Sequence, residues 1–256
     1  MNIGFIGCGN MGSAIIKGIK DKGLFEEIKV FDKNPDKLNI DGIKKATLVD
    51  TAMSDIVILA VKPNVIYDVI GEIKDKTTEN ALIVSIAAGQ SLQKLANAFG
   101  KKVKLVRVMP NTPLMVGEGM TAISPNENVS ENELLKVKEI FSSSGKAEIV
   151  PESLMDAVTG ISGSSPAYAY MFIESLAEAG IKHGMGEKES YLFAAQSVLG
   201  AAKMVLKTGI HPKTLKENVC SPGGTTIEAV KVLEERDLDG IIMEAVSKCV
   251  KKSKSM

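Results

Sequence analysis

Gly7, Gly9 and Gly12 stand as Gly-x-Gly-x-x-Gly directly behind the apolar run Ile3–Ile6, and a helical pattern over residues 13–22 follows. Strand, glycine turn and helix in that order form a seat for a dinucleotide pyrophosphate. The first glycine permits the tight turn, the second lets backbone approach the phosphates, and the third lets the helix lie close to the strand. N–H groups at the start of the helix then face the anion. Asp32, twenty residues beyond Gly12, ends the apolar run Ile28–Phe31. An acidic residue there accepts a hydrogen bond from the ribose 2′-hydroxyl and repels a 2′-phosphate, which tilts the expectation toward NADH over NADPH. Lys33 and Asn34 pull the other way, and Asp32-Lys33-Asn34-Pro35 is equally a turn signature.

Three further segments carry possible chemistry. Ala87-Ala88-Gly89 closes the apolar run 81–86, where small residues would let a nicotinamide ring approach the backbone, or serve helix packing alone. The segment 159–168 reads as a loop rich in hydroxyls opening a helix, and 220–226, Cys-Ser-Pro-Gly-Gly-Thr-Thr, opens another. Gly223-Gly224 followed by Thr225-Thr226 suits a carboxylate, because free N–H groups, hydroxyls and the positive end of the helix dipole converge there.

The elements that must position these residues alternate. Apolar runs at 55–61 and 81–86 suit strands buried on both faces of a parallel sheet, and an amphipathic stretch at 65–73 separates them. Residues 103–108 alternate as a strand and are closed by Met109-Pro110-Asn111-Thr112-Pro113. A strand near 120–123, a helix over 131–141 capped by Ser130, and a strand at 147–150 complete a doubly wound parallel α/β sheet over residues 1–151. Beyond Pro151 the strand signal disappears. Helices are expected over 166–183, 187–207, 212–219, 225–235 and 238–252, giving an all-helical domain over 152–256. The small residues around the 187–207 helix suit burial between subunits.

Composition narrows the class. With 31 basic and 31 acidic residues among 256, there is no electrostatic case for nucleic acid. Cys8, Cys220, Cys249, His183 and His211 form no metal-ligand spacing, so no metal site is expected. The first residues carry no basic region followed by a long apolar run, and no window is apolar enough to span a membrane. A cytoplasmic protein with reduced thiols is the expectation.

End to end, the chain resembles the pyrroline-5-carboxylate reductases. The resemblance rests on residues 5–12, Ala60-Val61-Lys62-Pro63, residues 85–89, Met109-Pro110-Asn111-Thr112-Pro113, and above all 156–168 and 215–226. It implies an N-terminal Rossmann-like domain and a C-terminal helical domain that interlocks with a second subunit into a homodimer, often in larger rings of dimers. It also implies reduction of a cyclic imino acid to L-proline by NAD(P)H. By the same resemblance, Asn10 and Met11 join the three glycines, Asp32 and Lys33 at the cofactor. Val61, Lys62, Pro63, Ala87, Ala88, Gly89 and Asn111 complete that set. Ser221, Gly223, Gly224, Thr225 and Thr226 would hold the substrate carboxylate, and Thr159 would be the catalytic hydroxyl at the ring nitrogen, polarising it or donating a proton. A protonated imine is already electrophilic, so alignment is the main demand and no buried His, Lys or carboxylate pair is needed.

Two other readings fit a Rossmann domain joined to a helical one. A β-hydroxyacid-type dehydrogenase would need a catalytic lysine after its glycine-rich loop, and residues 164–170 contain none. A non-catalytic NAD(P)H sensor would have no use for a carboxylate seat.

Overall fold

The computed structural model describes residues 1–255. The described chain divides into two units, one of residues 1–164 together with the chain from Cys249, the other of Ser165–Lys248.

The first unit is built on an eight-stranded sheet. Its strands are β1 Ile3–Ile6, β2 Ile28–Phe31, β3 Lys44–Lys45, β4 Ile56–Leu59, β5 Leu82–Ser85, β6 Lys104–Met109, β7 Gly119–Pro125 and β8 Gly145–Ile149, in the order β3-β2-β1-β4-β5-β6-β7-β8. All neighbours are parallel except β6 and β7. That one antiparallel pairing departs from the fully parallel arrangement expected from sequence. Only residues 110–118 join the two strands, too few for a helical crossover, and Pro110 and Pro113 discourage a helix there.

Apolar residues on both faces explain the nearly continuous hydrophobic strands. Phe5, Ile56, Ile58, Val84 and Val106 pack on one side, with Ile15, Ile16 and Ile19 of α1 (Asn10–Asp21) and Val137, Ile140 and Phe141 of α5 (Glu131–Ser142). Ile6, Val57, Leu59, Ile83 and Leu105 point the other way. They meet Ile66, Val69, Ile70 and Ile73 of α3 (Ile66–Ile73) and Leu95 and Phe99 of α4 (Leu92–Phe99). Helix α4, unassigned from sequence, is capped by Ser91, whose hydroxyl accepts the Lys94 N–H at 3.1 Å. A short helix α2, Leu48–Ala52, precedes β4 and was likewise unassigned.

Helix α5 begins with the cap expected at Ser130, in the form of a full capping box. Glu133 N–H donates to the Ser130 hydroxyl, and the Glu133 carboxylate accepts from Ser130 N–H at 2.9 Å. The same carboxylate meets Lys104 Nζ at 2.7 Å.

After β8 the chain enters α6 (Met155–Val158), a π-helical turn over Thr159–Gly163, and α7 (Ser165–Lys182). The segment 159–168, expected as a loop, is therefore helical on both sides of a bend at Ser164. Its glycines do not break the helix; they accommodate the wider turn, closed by Ser164 N–H to Thr159 carbonyl at 2.8 Å.

The second unit is all helical: α7, α8 (Glu187–Thr208), α9 (Pro212–Val219), α10 (Thr225–Glu235) and most of α11 (Leu238–Lys254). Gly180 lets α7 approach α8 closely, since a Cβ there would lie 2.9 Å from Ser190 Oγ. Helix α8 leaves Leu192, Phe193 and Leu206 each 64% exposed within the single chain, an apolar surface that a second subunit would cover.

Burial tends to raise the Glu133 carboxyl, but its bonds to Lys104 and Ser130 outweigh this and hold it below the ordinary range. The unfolded value is about 4.3. A lowered folded value means the stabilisation is present above that pH and is lost as pH falls through the folded value. Urea midpoints of the wild type and Glu133→Gln should therefore differ at about pH 6 and converge toward about pH 3. A gap independent of pH would refute the charged capping role.

Candidate active site

Strand order reverses between β1 and β4, and the glycine turn lies at that point. Gly7 leaves β1 with φ +102°, and a Cβ there would collide with the Ala60 carbonyl that follows β4. Its N–H donates to the Phe31 carbonyl at 2.7 Å. A Cβ at Gly12 would stand 2.7 Å from the Gly7 carbonyl, so only glycine lets α1 begin so close to the turn. At Gly9 a Cβ would meet nothing within 4 Å. That open space, and an α1 N-terminus with no side-chain cap and no acidic residue in its first turn, fit an incoming pyrophosphate.

Two adjoining cavities form one groove along the carboxyl ends of the strands, sharing Gly9, Lys37, Ala60, Val61 and Lys62. Asp32 and Lys33 lie at the β2 end. Asn10, Met11, Gly12, Pro63, Ala87 and Ala88 line the other end, toward β5, with Met109 and Pro110. Most of the residues expected at the cofactor thus share one groove. Gly89 and Asn111 are not among the lining residues of either part. Gly89 turns the chain at φ +73°, and the Asn111 amide bonds the Ser162 carbonyl at 3.1 Å and the Met120 N–H at 2.8 Å.

Lys37, Met109 and Pro110 were not singled out from sequence as site residues. Met109 and Pro110 follow from the rule that ligands lie beyond the carboxyl ends of strands, once β6 is placed next to β5. Lys37 has no comparable signal, because the short helical turn Pro35–Leu38 is what brings it over Asp32, at 3.9 Å.

Asp32 is anchored. Its Oδ2 accepts the Cys8 N–H at 2.7 Å and its Oδ1 the Asn34 N–H at 2.8 Å. Each oxygen retains a lone pair, and the side chain borders the groove, so the carboxylate holds the turn and still has capacity to accept a ribose hydroxyl.

In the helical half, Thr159 Oγ1 donates its proton to the Met155 carbonyl at 2.9 Å. The hydroxyl therefore offers lone pairs, not a proton, to anything that approaches it. Ser221 to Gly224 form a turn closed by Gly224 N–H to Ser221 carbonyl at 3.0 Å, with Gly223 at φ +70°. Helix α10 then starts with Thr225 and Thr226, no side chain caps it, and Ser221 Oγ lies over Gly224. Hydroxyls and uncapped N–H groups thus meet at one helix terminus.

Burial raises the Cys8 thiol above its ordinary value, the Asp32 carboxylate adds to this, and Lys37 opposes it. With its side chain buried, Cys8 should alkylate with iodoacetamide more slowly than the half-buried Cys220, as read by peptide mapping. Equal rates would show that the glycine turn opens in solution.

Known proteins follow this geometry closely. Residues 152–256 match the family model described as pyrroline-5-carboxylate reductase dimerisation, and residues 2–89 that described as NADP oxidoreductase, coenzyme F420-dependent. The chain is 46% identical to a pyrroline-5-carboxylate reductase of Escherichia coli, over 99% of this chain and 97% of the relative. It is 43% identical to one of Methanosarcina acetivorans, over 99% and 97%. Its fold superposes with TM-score 0.91 on the crystal structure of Plasmodium falciparum pyrroline carboxylate reductase with NADP bound, at 36% identity, covering 100% of this chain and 97% of the other. Likeness at this level over the whole length of both chains, on a dinucleotide groove and a helical half of matching type, means that the chain belongs to the pyrroline-5-carboxylate reductase family.

Proposed function

We propose that this protein reduces 1-pyrroline-5-carboxylate to L-proline, the last step of proline biosynthesis, with a hydride drawn from NAD(P)H. The observation that carries the reading is the uncapped start of α10 with Ser221 Oγ beside it, where the Thr225 and Thr226 N–H groups would seat a carboxylate, in a chain that also has a groove beside its glycine turn. The bound nicotinamide supplies the hydride. Everything else asked of the chain is positional.

Ser221, Gly223, Gly224, Thr225 and Thr226 fix the carboxylate, with the Thr226 hydroxyl assisting. Thr159, its own proton held by Met155, accepts the N–H of the protonated ring and so orients the imine carbon. Protonated imine plus hydride gives the neutral secondary amine, so no further proton is needed at that step. The groove from Gly7, Gly9, Asn10, Met11 and Gly12 past Val61, Lys62 and Pro63 to Ala87 and Ala88 holds the cofactor, with Gly89 shaping the turn behind it. Residues 1–151 act as the cofactor domain and 152–256 as the substrate and dimerisation domain, a division supported by the span of the dimerisation model.

Homo-oligomerisation through the helical half is supported by its exposed apolar side chains, and we take the unit to be a homodimer that assembles further into a ring. No helix among the described residues is long and apolar enough to cross a membrane. We place the enzyme in the cytoplasm, where the free thiols of Cys8, Cys220 and Cys249 would stay reduced. A lean to NADH is supported by the Asp32 carboxylate at the β2 end of the groove, against the ammonium groups of Lys33 and Lys37.

The purified protein should oxidise NADH or NADPH when given pyrroline-5-carboxylate and not when given a 3-oxo acid. Tight cofactor binding without turnover of the imine would favour a sensor instead. In the same assay Thr226→Ala should raise KM for the imine by about tenfold, the loss of roughly one hydrogen bond to a charged group, with little change for cofactor. Equal effects on both would refute the carboxylate role.

Asp32→Ser should shift the ratio of kcat/KM toward NADPH. It should also weaken both cofactors somewhat, since the Cys8 N–H loses its acceptor. A ratio that stays put would show that Asp32 only holds the turn.

A further inference from the structure

The corner that follows β6 touches two parts of the proposed site at once. Met109 and Pro110 line the groove at its Ala87–Ala88 end. One residue further, Asn111 is 9% exposed and its amide is engaged within the protein. Nδ2 donates to the Ser162 carbonyl at 3.1 Å and reaches Ser162 Oγ at 3.4 Å, while Oδ1 accepts the Met120 N–H at 2.8 Å. Ser162 lies inside the π turn that Thr159 opens. In an α-helical pattern its carbonyl would pair with the N–H four residues on, but that residue is Pro166, which has none. The Asn111 amide supplies a donor at that point. On the same turn, Met109 Cε occupies the space a Cβ at Gly163 would need, 2.8 Å away. One corner thus grips the π turn by a polar bond and an apolar contact while forming part of the groove wall.

We propose that Asn111 is a positioning residue, not a cofactor ligand. Its amide holds the π turn, and with it the Thr159 hydroxyl, in register with the Met109 wall of the groove. The proposal rests on the role of Thr159 given above.

Asn111→Asp tests it, because the carboxylate keeps the shape and can still accept the Met120 N–H but cannot donate to the Ser162 carbonyl. The wild type, Asn111→Asp, Thr159→Val and the double variant would be compared in the imine assay. Cofactor affinity would be read by fluorescence titration, and the Ser164 amide by hydrogen exchange. The expected result is a kcat lower by about ten- to a hundredfold in Asn111→Asp, with cofactor affinity unchanged and faster Ser164 exchange. The double variant should be no slower than Thr159→Val alone.

Cofactor affinity falling in step with kcat would make Asn111 a cofactor contact and overturn the proposal. So would an unchanged kcat, or losses that multiply in the double variant. A wild type that fails to reduce the imine overturns the functional reading, and the positioning role with it. Should Asn111→Asp not fold, Asn111→Ser, uncharged and shorter, likewise withdraws the donor from the Ser162 carbonyl. A kcat loss at unchanged cofactor affinity then upholds the proposal, and an unchanged kcat overturns it.

Discussion

The contact on which the groove depends is the hydrogen bond from the Cys8 N–H to the Asp32 carboxylate, reinforced by Gly7 N–H to the Phe31 carbonyl. Together they tie the glycine turn to the end of the neighbouring strand. A turn with Gly7 at positive φ and Gly9 open to solvent has few contacts of its own. Fixing it to β2 preorganises the backbone that a pyrophosphate must meet, so less order has to be created on binding. The same carboxylate borders the β2 end of the groove, so one side chain both holds the turn and lines the groove.

A second constraint runs along the far side of the sheet. Arg107 on β6 is largely buried and its guanidinium meets Glu152 at 3.0 Å, while the same carboxylate oxygen accepts the Leu92 N–H at 2.7 Å. Removing Glu152 would leave the largely buried Arg107 guanidinium without its carboxylate, which costs more than an exposed ion pair contributes. This clasp fixes where the chain leaves the sheet for α6 and the π turn. Ser253 adds a tie to Asp156 at 2.6 Å, and Cys249 lies 3.1 Å from Ser164. The segment that bears Thr159 is therefore held at its start, its middle and its end by side chains remote in sequence.

The division of labour between the halves follows from their surfaces. The sheet unit buries its apolar residues on both faces within one chain. The helical unit does not, and leaves Phe193, Leu206 and Met243 largely exposed. Reduction of a protonated imine asks for alignment above all, and neither half contributes a strongly acidic or basic catalytic group in the proposed roles. In those roles backbone N–H groups, hydroxyls and small residues would do the positioning.

Much of this was legible in the residues alone. Local periodicity marks β1, β2, β4, β5, α3, α5 and all five long C-terminal helices, because each depends on spacing within its own segment. Gly7, Gly9, Gly12 and the Ser221–Thr226 turn were readable for the same reason. Tertiary structure decided what depends on partners far along the chain. Residues 159–163 form a π turn, although glycines and serines there suggest a loop, and Met109 and Asn111, remote in sequence, lie against it. The strand after β6 runs antiparallel because the connection is too short for a crossover. Met109 enters the groove only through the neighbour that the strand order gives β6, and Lys37 through the helical turn Pro35–Leu38 that brings it over Asp32. Spacing along the chain records which backbone shapes a segment tolerates; which side chains meet across the fold is settled by packing and pairing between segments, and no local pattern carries that information.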